Sequence, residues 1–264
     1  MTLRVAVEAV SFWSSRLPGW DLARAVIRGE QSPPETVSPR PAPTLLAPTE
    51  RRRAPDTVAV ALEVAARACE AAGRTPAELP SVFASTHGDL AINDYMCATL
   101  ASTPTLISPV KFHNSVHNAA AGYWSIGTGS LEPYTAISAY EYTFATGLLE
   151  AATQVVCDNK PVLYVAFDIE AKGALSSMAP SRGLMGAAMI LAPVVQSEQR
   201  RTLILTTESV AAVKITPARS AAAALVSDNA LAPCLPFIEV LALSHPRTLC
   251  LALSRQMALN VQVS

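Results

Sequence analysis

Five short apolar runs, the first three interleaved with helix-like stretches rich in small residues, constrain this chain more than any other feature. The runs are LPSVFAST, EPYTAISA, KPVLYVAFDIE, GLMGAAMILAPV and RTLILTTES. Between the first four lie DLAINDYMCATLAS, HNSVHNAAAGYWSIGTG and TFATGLLEAATQVVCDN, which read as helices. A chain that alternates in this way buries apolar strands under helices, so a layered α/β sheet is expected. Buried parallel strands and alanine-rich helices would also explain a positive mean hydropathy.

The flanking segments extend the pattern. Residues 3–12 (LRVAVEAVSF) alternate in part and favour a strand, and WDLARAVIRG reads as a helix with Asp21 in its first turn. Residues 31–55 hold seven prolines and the run Arg51-Arg52-Arg53, and are read as a surface loop without helix or central strand. DTVAVALEVAARACEAAG follows as a helix, with Asp56 as N-cap and Gly73 as stop. Beyond residue 210, SAAAALVSDNALAP and LPFIEVLALS suggest helices, and RTLCLALS with MALNVQVS a closing strand pair.

Bulk properties exclude several classes of function. Half of the residues are hydrophobic and 16% are charged, the reverse of a disordered chain. A formal net charge of -1 provides no global field for nucleic acid or an anionic membrane. No apolar run reaches the roughly 18 residues that would argue for membrane insertion. The start, MTLRVAVEAVSFW, carries Glu8 early and lacks a basic-then-apolar leader pattern, which argues for a cytoplasmic location. The five cysteines are scattered and form no CxxC pair, so they read as buried apolar side chains in a reducing compartment.

Several blocks then fall in a telling order: SVFASTHGD, SPVKFHNSVHNAAAGYWSIGTG, YTAISAYEYTFATGLLEAATQ, KPVLYVAFDIE and GLMGAAMILAP. This series resembles the N-terminal half of β-ketoacyl synthases, and HNSVHNAAAGYWSI carries the most specific part. It is most similar to the short ketosynthase-like chain length factors of aryl polyene pigment clusters. The resemblance spans residues 3–195. It implies a thiolase-like α/β layered fold with a truncated C-terminal half. The domain reading is one unit over 1–264, with 1–195 as the ketosynthase N-terminal-like half and 196–264 as a short C-terminal remnant.

Two departures from the synthase pattern matter. A synthase strand ends at a nucleophilic cysteine that starts a helix. The equivalent stretch here lies within Ser138-Ala139-Tyr140-Glu141-Tyr142, and no cysteine occurs between Cys97 and Cys157. Counting back from KPVLYVAFDIE points nearer Tyr142, while the TA dipeptide points to Ile137 or Ser138. A synthase also needs two histidines from its second half, and only His245 follows His117 here.

The implied role is a non-catalytic chain length factor in a heterodimeric β-ketoacyl synthase of fatty-acid-like or polyketide-like biosynthesis. A catalytic ketosynthase partner would perform the acyl transfer, and an acyl carrier protein would deliver malonyl units. This chain would complete the dimer and shape the acyl tunnel, with no cofactor, nucleic acid or metal. Two alternatives stand beside it: a self-sufficient small acyltransferase, and a purely structural stabiliser of a ketosynthase.

Candidate residues follow. His113 and His117, four apart, could share a helix face, and with Asn114 and Asn118 could form a polar network at an interface or channel. Ordinary structural histidines are the alternative. Ser138 is a buried or interface serine at a strand end, or a substitute nucleophile, although no Gly-x-Ser-x-Gly elbow surrounds it. Tyr140, Tyr142 and Phe144 alternate as tunnel-lining or core side chains. Asp168 and Glu170 read as caps of the turn after their strand. Arg51-Arg52-Arg53 reads as a solvated run, or a contact for an acidic carrier protein.

Overall fold

The computed structural model describes all of residues 1–264 except Gln196, Glu198, Gln199 and Ser244. Eight strands form one sheet: β1 (Thr2–Ser14), β2 (Ser81–Ala84), β3 (Tyr134–Ile137), β4 (Val162–Asp168), β5 (Met185–Ala192), β6 (Arg201–Ser209), β7 (Arg247–Ala252) and β8 (Met257–Val263). Their order is β3-β2-β4-β5-β1-β6-β8-β7. The helices are α1 (Trp20–Ile27), α2 (Pro48–Arg53), α3 (Asp56–Ala72), α4 (Leu90–Ser102), α5 (Pro109–His113), α6 (Ala119–Thr128), α7 (Thr143–Asp158), α8 (Ala221–Ala224) and α9 (Leu235–Leu243).

The sheet has helices on both faces. Val5, Val7 and Phe12 of β1 pack with α1, α7, α8 and α9 on one side. Ala9 and Trp13 of the same strand pack with α3 and α6 on the other. The inward parity of β1 therefore flips part-way along. The pairing of β1 with β5 shifts register between Val7 and Ala9, and an extra residue there exchanges the two faces. This is why the alternation in residues 3–12 is only partial.

Close approach fixes the layer spacing at α7. A Cβ on Gly147 would stand 2.7 Å from the Tyr164 ring and 2.9 Å from the Ala84 methyl, so the helix lies closer to β2 and β4 than any side chain permits. At the end of α3, Gly73 takes the left-handed conformation expected of a helix stop (φ 62°).

Several expectations change. Parallel pairing is confined to β2 with β3 and with β4, and the other five pairings are antiparallel. The hydropathy comes from strands covered on both faces irrespective of direction; all seven residues of β4 and all eight of β5 are buried. Residues 31–55 are not wholly loop, because Pro48 occupies the first turn of α2, where its missing N–H costs nothing. The run Arg51-Arg52-Arg53 ends that helix, and Arg51 donates to the Leu46 carbonyl. Asp56 is the first helical residue of α3 and Pro55 the cap, so Asp56 acts on the helix dipole instead.

The expected helix over 220–233 shrinks to α8. Asn229 turns the chain out of it, accepting from Leu231 N and donating to the carbonyls of Arg182 and Gly183. The closing strand pair appears as β7 and β8. Ser244, the end of the expected LPFIEVLALS helix, and Gln196, the start of the C-terminal remnant, lie outside the described residues. No described helix is long and apolar enough to cross a membrane.

Candidate functional site

The parallel strands β2, β3 and β4 end side by side, and their carboxyl ends open into loops at one edge of the sheet. Such strand ends are where α/β sheets gather functional groups. The turn Ser85-Thr86-His87-Gly88 after β2 is the centre of the arrangement. Asp168, the last residue of β4, reaches across to it. Its carboxylate accepts from Ser85 Oγ (2.9 Å) and from the backbone N–H groups of Thr86 (3.0 Å) and His87 (3.3 Å). Asp168 is 1% exposed. Burial pushes its pKa above the ordinary carboxylate range, and the donors pull the other way. Asp168 therefore holds the turn of a neighbouring strand, not the turn after its own. Glu170 is exposed.

His117 and Ser138 grip the same turn. His117 Nε2 lies 2.8 Å from the Ser85 carbonyl. A carbonyl only accepts, so Nε2 carries the proton. Ser138 Oγ donates to the Thr86 carbonyl (2.9 Å), which occupies the hydroxyl structurally; the residue is exposed. Asp89, next in the chain, caps α4 by accepting from Ile92 N (2.8 Å) and ties it to α3 through Thr57 (3.1 Å). Burial raises the pKa of Asp89 as well.

The connection from β3 to α7 is a strained elbow. Tyr140 has φ 53°, a left-handed conformation that bulky side chains seldom adopt. The Thr143 hydroxyl holds it, donating to the Tyr140 carbonyl (2.6 Å) and accepting from Ala139 N (2.9 Å). The Tyr140 ring is exposed and meets His87 edge-on, with centroids 5.9 Å apart. The strand-to-helix elbow is centred on Tyr140, between Ile137 or Ser138 on one side and Tyr142 on the other.

The structure separates other candidates. His113 ends α5, and residues 114–118 form a turn before α6, so His113 and His117 do not share one helix face. Ser115 Oγ donates to the Phe112 carbonyl and His117 turns to Ser85, which breaks the expected single helix. His113 lies against Tyr123, with centroids 6.4 Å apart. Asn118 donates to the Tyr134 hydroxyl (3.1 Å). Asn114 is 3% exposed, and its Oδ1 has no hydrogen-bond partner among the described residues.

Tyr140, Tyr142 and Phe144 point into three environments, because a 3-10 turn and then a helix replace the extended chain assumed for them. Tyr140 is at the elbow surface. Tyr142 faces Glu141 and Arg255; the hydrogen bond with Glu141 raises its phenol pKa and Arg255 opposes it. Phe144 is core, against Tyr164 and Phe237.

Missed by the sequence reading were His87 and the bridging role of Asp168. A buried carboxylate opposite a Ser-Thr-His-Gly turn is a tertiary relation between positions 83 apart, and no local pattern reports it.

No thiol stands at the elbow. Cys69 and Cys234 are buried, which pushes the Cys69 thiol up to about 12 and Cys234 also well up. Cys97 lies on α4 and Cys157 near the end of α7. His245 is exposed between α9 and β7. Among the described residues no group of three or more His, Cys, Asp or Glu could hold a metal ion.

Residues 26–248 match the family model described as Beta-ketoacyl synthase, N-terminal domain. The chain belongs to this family. No curated protein matches the sequence. Among solved structures, it is similar to a chain of the ketosynthase (ApeO) in complex with its chain length factor (ApeC) from Xenorhabdus doucetiae. The TM-score is 0.74 at 19% identity, over 98% of this chain and 99% of that one. A chain of AntDE:AntF, a type II PKS acyl-carrier protein in complex with its ketosynthase bound to the hexaketide, matches with TM-score 0.74 at 10% identity, over 100% and 99%. A β-ketoacyl synthase from Burkholderia phymatum STM815 matches with TM-score 0.60 at 12% identity, over 90% of this chain but 70% of that one. At these identities the likeness is one of fold: the ketosynthase-like chain has the thiolase-like α/β architecture in shortened form.

Proposed function

We propose that this chain is the non-catalytic chain length factor of a heterodimeric β-ketoacyl synthase. The observation that carries the reading is the bare edge of the sheet at β3, beside an elbow with no cysteine. β3 pairs only with β2, and its outer side has no strand partner among the described residues. Tyr134 on β3, Leu131 before it and Tyr140 after it are exposed, as are Phe112, Val116 and Ile126 in the segments that lead to it, with Ile126 at 79% and Leu131 at 99%. So many exposed apolar side chains beside an unpaired strand mark a protein contact.

The partner would be a cysteine-bearing ketosynthase whose own edge strand continues this sheet. That partner performs the condensation on acyl groups carried by an acyl carrier protein. The present subunit completes the dimer, and Tyr140, Phe112 and Val116 at the contact bound the tunnel into which the acyl chain grows. His113 and Asn118 belong to the polar margin of that surface, with Asn114 and His117 behind it and Ser138 fixing the elbow. Tyr142 and Phe144, by their positions, do not line it. The whole chain acts as one unit: β6, β7 and β8 of the 196–264 remnant join the same sheet as the N-terminal-like half. The likeness to chains of a ketosynthase–chain length factor complex and of an acyl-carrier protein–ketosynthase complex supports this reading.

Co-expression with the ketosynthase encoded nearest to this gene, followed by size-exclusion chromatography with mass detection, tests the pairing. A one-to-one complex is expected; a stable free subunit that ignores the synthase overturns it. Within the complex, Tyr140→Ala and Val116→Ala should lengthen the products. Unchanged lengths in both would leave only a stabilising role. Acylation of the isolated chain by an acyl donor would instead establish a self-sufficient acyltransferase.

A further inference from the structure

A hollow lies away from the β3 edge. It has a volume of about 430 Å³, within the range of small-molecule sites. Its walls come from the first turn of α7 (Ala145), the segment 215–218, the turn before α9 (Pro233) and the end of β7 (Leu251). These walls are almost wholly aliphatic. Tyr142 lines it and also lines an adjoining, more open hollow with Ala211, Ala212, Ser254, Arg255 and Gln256, the last three in the β7–β8 turn. One residue thus joins an aliphatic slot to a cationic vestibule.

The slot is built, not accidental. Glu239, 8% exposed on α9, accepts from the backbone N–H groups of Arg219 (2.9 Å) and Ser220 (2.6 Å), which fixes the loop forming one wall. Thr216 N donates to the Cys250 carbonyl (2.9 Å), and Thr216 Oγ1 accepts from Cys250 N (2.9 Å). The wall is therefore held open at both ends of its loop. An aliphatic cavity so braced neither collapses nor favours water, and an apolar ligand gains the burial.

Charge sets the polarity of the occupant. Glu141 lines the aliphatic hollow, and Arg255 lines the adjoining one. Arg255 interacts with the Tyr142 hydroxyl but forms no ion pair among the described residues. Among the residues that line the two hollows Arg255 alone is cationic, so a ligand with an anionic end would place it there, with its tail directed inward past Tyr142. We infer that this hollow binds an unbranched aliphatic chain ending in a carboxylate, with the carboxylate at Arg255 and the chain among Ala145, Ile215, Pro217, Pro233 and Leu251. The site is separate from the proposed tunnel and does not depend on the partner reading.

The test is photo-crosslinking of the full chain, or of its complex if it purifies as one, with a diazirine-bearing long-chain fatty carboxylate, followed by peptide mapping. Label is expected in residues 215–218 and 232–236. It should fall several-fold in Arg255→Ala and persist in Arg255→Lys, which retains the charge. The corresponding diazirine alcohol should label less. Absence of label in those two segments, or label that Arg255→Ala leaves unchanged, overturns the inference. Loss in Arg255→Lys equal to that in Arg255→Ala also overturns it, since the charge would then not be what binds.

Discussion

The two edges of the sheet are finished in opposite ways. At β7, the segment running to Thr216 lies along the outer strand, and its backbone and hydroxyl exchange hydrogen bonds with Cys250. Val210 and Val213 tether the same segment to Gln256 and Arg255 in the β7–β8 turn. That edge is closed within the chain, as edges of independent domains usually are. At β3, four residues end the sheet with no strand on their outer side among the described residues. On the proposed pairing, the second chain would meet the bare edge and not the covered one.

Breaking the bare edge should have the largest effect. The carbonyls of Pro133 and Ile137 face β2, so by alternation the N–H groups of Tyr134 and Ala136 face outward. Ala136→Pro removes an outward donor and spares the pairing with β2. The expected outcome is loss of the one-to-one peak in size-exclusion chromatography, with circular dichroism of the subunit retained. Next in size is Phe112→Ala, since an exposed aromatic anchor is worth about 2 kcal/mol of affinity, roughly 30-fold in Kd. Calorimetric titration with the partner would show this, while the thermal midpoint of the subunit should move little.

The turn behind the bare edge gives a pH signature. Asp168 has a raised pKa in the folded state. Between its unfolded value, near 3.9 for a free aspartate, and that higher value, the folded protein holds a proton that the unfolded chain has released. Its contribution to stability therefore falls as pH rises through this window. Asp89 acts in the same direction, and Glu8, whose pKa is lowered through hydrogen bonds to Arg74 and Arg200 that outweigh its burial, acts in the opposite one. The clean comparison is with Asp168→Asn: denaturant melts across the window should show wild type losing stability with pH relative to the variant. A parallel pair of curves would mean that Asp168 does not titrate there.

The smallest effect belongs to the closed edge. Thr216→Val removes the acceptor of Cys250 N–H at a partly exposed position, at a cost of about 1 kcal/mol. Chemical denaturation would measure it, and partner affinity should not change. An effect of Thr216→Val on the complex as large as that of Phe112→Ala would erase the distinction between the edges.

The sequence made much of this fold legible, because apolar runs such as KPVLYVAFDIE are long and their helices end at recognisable stops such as Gly73. Strand direction was not legible. β4 and β5 are both buried on two faces, and such strands read alike whether parallel or antiparallel. The break between α5 and α6 was hidden too, because His117 leaves its helix for a carbonyl 32 positions away. Of the site, the missing thiol was plain in Ser138–Tyr142. The direction of each tyrosine was not, since a left-handed Tyr140 redirects the chain in a way no residue type announces.

The bare β3 edge also bears on how such a subunit is made. An unpaired strand among exposed apolar side chains templates pairing with any similar edge, including that of another copy. Surplus chain, made faster than its partner, would meet itself first. On the proposed pairing, the ratio of synthesis of the two subunits would become a condition for solubility, and the surface that would select the partner would make an orphan copy a substrate for aggregation and proteolytic clearance.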